Sequence, residues 1–161
     1  MNISPPRILF VCTGNIFRSM SAEYALRAAA RAEAPLHVSS AGLADPPHGV
    51  LDRVRDYHAG RNVDVSPHTP RRVTEQLLKQ SDLVVAMSTD HRDQIADQFS
   101  AEIPLFNEIA YGSSDALPDV HEVIENWREN MDRSVPYVYG VIDHIYNGIP
   151  GFIDRMRSFS R

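Results

Sequence analysis

The chain of 161 residues contains a single cysteine, Cys12, so no disulfide can form within it. No Cys/His spacing of a zinc site is present. The seven histidines (His37, His48, His58, His68, His91, His121 and His144) are scattered, without the i, i+4 pair of a helical metal site. Positive charge is also scarce: 16 Lys and Arg against 21 Asp and Glu give a formal charge of −5. With no basic cluster, there is no electrostatic footprint for nucleic acid or an anionic membrane. Long hydrophobic runs are absent too. The opening MNISPPRILFV is too short for a signal peptide and far too short to span a bilayer. These absences point to a reduced, cytoplasmic protein without metal or cofactor. Its length and its 43% hydrophobic content suit one compact domain over 1–161.

Four apolar β-type runs are present: ILFV at 8–11, LHVSS at 36–40, LVVAM at 83–87 and IPLF at 103–106. The first and third are continuous rather than alternating, as in strands covered on both faces. Helical patterns over 19–33, 49–59, 70–79 and 89–98 separate or follow them. The tail from Glu122 reads as mostly helical, with interruptions expected at Pro136 and Pro150. Val123, Ile124, Trp127 and Met131 fall at helical spacing and read as a core face, and the apolar stretch 135–156 reads as core packing. The alternation predicts an α/β domain, a four-stranded parallel sheet wrapped by helices.

In such sheets ligands sit beyond the carboxyl ends of the strands, where a loop enters a helix. Cys12 closes the first run, CTGNIFRS follows, and a helix is expected from Ser19. A loop of this kind aims backbone N–H groups at one point, at the positive end of a helix dipole. Gly14 and Asn15 suit the unusual backbone this requires. Arg18 adds a planar fork for two phosphoryl oxygens. The same field favours ionised sulfur, the nucleophilic form, and Ser19 is placed to donate a hydrogen bond to it. Thiolate, amide cradle and guanidinium together suit attack on a phosphoryl group.

The segment Val11-Cys-Thr-Gly-Asn-Ile-Phe-Arg-Ser-Met20 resembles the V-C-x-G-N-x-C-R-S-P signature of the low-molecular-weight protein tyrosine phosphatases. Similarity continues through SAG at Ser40 to Gly42, SPHTPRR from Ser66 and SDLVVAMSTDHRDQI from Ser81, covering about residues 7–125. The resemblance implies a three-layer α/β/α fold with the phosphate loop between the first strand and first helix. It implies Cys12 as nucleophile, Arg18 as phosphate clamp, and Thr13, Gly14, Asn15, Ile16, Phe17 and Ser19 as the substrate-binding loop. Asn15 and Ser40 would be the hydrogen-bonded pair that supports this loop. DALPDVHEV is similar to the family's late D-P-aromatic stretch, which makes Asp119 the expected general acid and base, with Asp115 in reserve. Asp119 also reads as the cap of a helix starting near His121.

The chain departs from the pattern at Phe17, Met20, Val120 and His121. Phe17 replaces the signature's second cysteine, so a protective disulfide with Cys12 is excluded. LADPPHGV after Gly42, expected as a pocket wall, lacks a large aromatic. His68 and His91 read as structural hydrogen-bonding residues. The expected activity is hydrolysis of phosphotyrosine in proteins through a phosphocysteine. Two alternatives use the same loop: arsenate reduction drawing on an external thiol, and a non-catalytic anion-binding regulatory protein.

Overall fold

A computed structural model describes residues 4–160. Three parallel strands, β1 (Arg7–Cys12), β2 (His37–Gly42) and β3 (Leu83–Ala86), form a sheet in the order β2-β1-β3. β1 is central, and its continuous apolar run follows from that place. Ile8, Phe10 and Cys12 face one core while Leu9 and Val11 face another, so neither side meets water. The first core is covered by α1 (Arg18–Ala29), α2 (Asp52–Ala59), α5 (Phe106–Tyr111) and α7 (Met131–Arg155). The second is covered by α3 (Glu75–Gln80) and α4 (Thr89–Phe99). The result is three layers, α/β/α.

The expected fourth strand at 103–106 reduces to one parallel bridge, Ala86 with Leu105. Ala86 N–H donates to the Pro104 carbonyl at 2.9 Å, but Pro104 has no N–H to return, and Leu105 already caps α5. Among the described residues the sheet is therefore three-stranded. α3 starts at Glu75 rather than Pro70, because residues 71–73 are tied to the sheet. Gly42 N–H donates to Arg71 O and Val73 N–H to Gly42 O, both at 2.8 Å, and Thr74 then caps the helix by accepting from Leu77 N–H. α1 stops at Ala29, four residues short of the expected end, where Ala30 turns extended on the way to Pro35.

α7 runs unbroken through both prolines, against expectation. Pro136 and Pro150 lie on its exposed side, where water can serve the carbonyls they leave unpaired. Its opposite side, with Ile142, Ile145, Ile149 and Phe152, is buried, and this packing outweighs the lost bonds. Gly151 permits the close approach to α5, since a Cβ there would stand 2.4 Å from the Ala110 carbonyl oxygen. No helix among the described residues is long and apolar enough to cross a membrane.

Candidate active site

The loop 12–18 leaves the central strand at its carboxyl end and runs into α1. Phe17 caps α1 without a side-chain acceptor, and the first helical turn carries no acidic residue. The positive end of the dipole is thus left to an anion. Cys12 is 3% exposed, and its Sγ lies 2.9 Å from Ser19 Oγ. Asn15 Nδ2 donates to Ser19 Oγ at 2.9 Å, which leaves the serine O–H free to donate to the sulfur.

Asn15 organises the loop. It is fully buried and takes a positive φ of 57°, a conformation Asn enters more easily than most residues. Nδ2 also donates to Ser40 Oγ at 2.8 Å, and Oδ1 accepts from Arg71 N–H at 3.1 Å. The Asn15 carbonyl accepts from His68 Nε2 at 2.7 Å, and Ser40 in turn donates to buried Glu23 at 2.7 Å. The structure therefore brings Asn15 and Ser40 together, with His68 and Glu23 as further supports. Gly42 lets the loop pass, because a Cβ there would fall 2.5 Å from the Thr13 carbonyl oxygen.

Arg18, the first residue of α1, is only 2% exposed. Its Nη1 donates to the Leu117 carbonyl at 2.9 Å, and its Nη2 lies 3.6 Å from Asp119 Oδ2. Glu122 Oε2 stands 3.9 Å from Nη1. Asp119 serves two ends at once. Oδ1 accepts from Val120 N–H at 2.7 Å, capping α6 (Val120–Val123), while Oδ2 faces the guanidinium and sits 3.6 Å from His121 Nδ1. Asp115 is exposed and contacts Asn107 and Ser113 instead. Of the two aspartates, Asp119 is the one the fold brings beside Arg18.

A network not visible in the sequence joins the loop to the aspartate segment. His91, fully buried, accepts from Ser88 N–H through Nδ1 at 3.1 Å, so its Nε2–H donates to Thr13 Oγ1 at 3.0 Å. Ser88 Oγ accepts from Leu117 N–H at 3.0 Å, and Leu117 O holds Arg18. Tyr137 O–H donates to the Pro118 carbonyl at 2.5 Å, fixing the other side of Asp119. Ser88 precedes the helical pattern at 89–98 without a catalytic motif, and Tyr137 lies 18 residues beyond Asp119 without a motif around it.

Burial, with the Arg18 charge second, lowers the pKa of His91 to about 4. Burial, with Arg61 second, does the same to His58, whose ring nitrogens meet Ser21 Oγ and Tyr146 O–H. Both rings are neutral in the folded chain. Their folded pKa lies below the unfolded one, so their stabilisation is present above pH 6.5 and lost as pH falls toward 4. For His58 alone the loss between pH 7 and pH 5 is about 2 kcal/mol. Urea unfolding at the two pH values is expected to show it, and His58→Gln is expected to flatten the dependence.

The loop opens into a cavity of about 380 Å³. Thr13, Gly14, Ile16 and Phe17 form its inner end, while the Asn15 and Ser19 side chains lie fully buried behind it. Pro47, His48 and Leu51 also line it, so the loop after Gly42 does contribute as expected. Asp119, His121, Trp127 and Arg128 line it as well. Trp127 is therefore not on a core face. α6 ends at Val123, residues 125–129 form turns with Asn126 at φ 49°, and only Ile124 of the expected face is buried, while Val123 and Met131 are exposed. Met20, by contrast, is a fully buried core residue.

The profile of the family described as Low molecular weight phosphotyrosine protein phosphatase matches residues 7–136. The chain is 37% identical over 98 residues to the protein-arginine-phosphatase of Bacillus subtilis (strain 168), a stretch that covers 57% of this chain and 62% of that one. It is 28% identical over 144 residues to the low molecular weight protein-tyrosine-phosphatase Etp of Escherichia coli (strain K12), covering 84% and 86%. A crystal structure of a YwlE mutant from Bacillus subtilis superposes with a TM-score of 0.78 at 24% identity, covering 94% of this chain and 99% of that one, which shows the shared fold.

Proposed function

The chain belongs to the low molecular weight phosphotyrosine protein phosphatase family, and from that premise we propose that it hydrolyses aryl phosphomonoesters, phosphotyrosine in proteins foremost, through a phosphocysteine on Cys12. The observation that carries this is one arrangement. Cys12 Sγ lies against a serine hydroxyl in a loop that ends at buried Arg18, with the Asp119 carboxylate 3.6 Å from its fork.

In the first step Cys12 sulfur attacks phosphorus in line, and the bond from phosphorus to the phenol oxygen breaks. Asp119 delivers its proton to that oxygen, so the phenol leaves neutral. Loop amides and Arg18 hold the three equatorial oxygens, on which charge is spread. In the second step Asp119 takes a proton from water as the water oxygen attacks phosphorus. The sulfur–phosphorus bond breaks, and the Ser19 O–H supports the departing thiolate. Thr13, Gly14, Ile16 and Phe17 flank the phosphoryl group, while Asn15 and Ser40 keep the loop in shape.

Every charge-bearing part of this cycle belongs to the chain. Hydrolysis of p-nitrophenyl phosphate is therefore expected to persist unchanged in excess chelator. Release of nitrophenol only when a divalent metal is restored would count against the reading. Binding of phosphate without turnover of any aryl phosphate would favour a regulatory anion-binder instead. Reduction of arsenate through an internal disulfide relay has no second cysteine to use, so that alternative needs an external thiol, and thiol-dependent formation of arsenite would favour it over the phosphatase reading. A lone catalytic thiol also suits a reducing compartment, and we place the enzyme in the cytoplasm on that ground.

A further inference from the structure

The cavity beside the loop carries an aromatic side chain from an element outside the loops next to Cys12. The loop after β2, at Pro47 and His48, brings no Phe, Tyr or Trp to it, and the residue two past Asp119 is His121. The ring comes instead from Trp127, the one tryptophan of the chain, on the turn between α6 and α7. Two clasps hold this turn. Ser134 Oγ donates to the Trp127 carbonyl at 2.7 Å, and Asn130 Nδ2 donates to the carbonyls of Glu125 at 2.9 Å and Asn126 at 3.2 Å. The Arg128 guanidinium lies over the Trp127 ring, 4.7 Å from its centroid, and both side chains line the cavity.

Charge separates the phosphorylated side chains this wall would accept. The cavity lining has one carboxylate, Asp119, which already faces Arg18, against the fixed charge of Arg128 and the imidazoles of His48 and His121. A phenol ring packs on indole edge or face without electrostatic penalty. The guanidinium part of a phosphoguanidine would have to share the indole with Arg128 and approach its like charge. A carboxylate beside the phosphorylated residue would meet Arg128 at the rim, where such a contact selects among partners more than it tightens binding.

We propose that Trp127 and Arg128 form the specificity wall of the cleft, selecting a phosphorylated phenol beside an acidic residue over a phosphorylated guanidine. This rests on the phosphatase reading above and extends it to substrate class.

The test compares kcat/KM on three peptides of one sequence: phosphotyrosine with a neighbouring glutamate, phosphotyrosine with a neighbouring lysine, and phosphoarginine with a neighbouring glutamate. Wild type is expected to prefer the first over the second by about 5-fold, the range of one or two screened contacts, and over the third by more. Trp127→Ala is expected to raise KM for the phosphotyrosyl peptides by about 3- to 10-fold with kcat changed less, and Trp127→Phe to recover most of that loss. Arg128→Glu is expected to reverse the glutamate-over-lysine preference. Thermal melting of each variant shows whether it is folded, and the Phe and Glu variants carry the test if Trp127→Ala is not. Equal selectivity in wild type and Arg128→Glu, an unchanged KM in folded Trp127→Ala, or a wild-type preference for phosphoarginine would overturn the proposal. Wild-type turnover of p-nitrophenyl phosphate is measured alongside. If that is also absent, the phosphatase reading falls and this one with it; if it is present, only the specificity wall is lost.

Discussion

Cys12→Ser is expected to lower turnover of p-nitrophenyl phosphate by roughly 10⁴-fold or more while leaving phosphate binding in place. Removing a covalent nucleophile costs on this scale because the remaining groups only bind and orient. A serine hydroxyl at this position stays protonated near neutral pH and is a far weaker nucleophile than a cysteine. The loop itself has no reason to move. Its shape is held by Asn15, Ser40, His68 and Gly42, none of which depends on the sulfur. Arg18 keeps its bond to Leu117 and its place beside Asp119. Calorimetric titration with phosphate is therefore expected to give a similar affinity for variant and wild type. A serine variant that retains more than about a hundredth of the activity would mean that another group does the chemistry.

Asp119→Asn is expected to cost about 10²–10⁴-fold on phenyl phosphate and far less on p-nitrophenyl phosphate. Phenol is a poor leaving group that needs its proton, whereas nitrophenolate departs without one. Asparagine is the informative replacement, because Asp119 also caps α6 through Val120 N–H. Asn keeps that hydrogen bond while removing the proton transfer and the charge that faces Arg18, whereas Ala removes the hydrogen bond as well, a cap penalty of about 1 kcal/mol. Unfolding measurements on the two variants separate the roles. If both substrates slow equally in Asp119→Asn, the carboxylate positions Arg18 through the 3.6 Å ion pair rather than acting as acid.

Much of this site is legible along the chain because its parts are contiguous. Strand, loop, arginine and helix fall within residues 7–29, where apolar continuity and Gly-Asn chemistry are local signals. What sequence periodicity misses is what the third dimension brings in. His91 meets Thr13 across 78 residues, and Tyr137 reaches Pro118 from a separate helix. Trp127 follows the spacing of a buried helical face, yet Ile124 is extended and Asn126 left-handed, so no helix runs through it and it lines the cleft instead. IPLF has strand composition, but a proline in its second place and the start of α5 leave one bridge where four residues of ladder were expected. The prolines of α7 mislead in the opposite direction, because helix propensity is a local quantity and burial of Ile142, Ile145 and Phe152 is not.

The most direct test is to catch the phosphoryl group on sulfur. Asp119→Asn slows the hydrolytic second step, so mixing it with p-nitrophenyl phosphate and quenching within a turnover should leave a phosphorylated enzyme. Peptide mass spectrometry is then predicted to locate the phosphate on Cys12 alone, and to find none in the Cys12→Ser, Asp119→Asn double variant. A burst of nitrophenol with no phosphate on the peptide that contains Cys12, or with phosphate on a histidine or aspartate instead, would contradict the account.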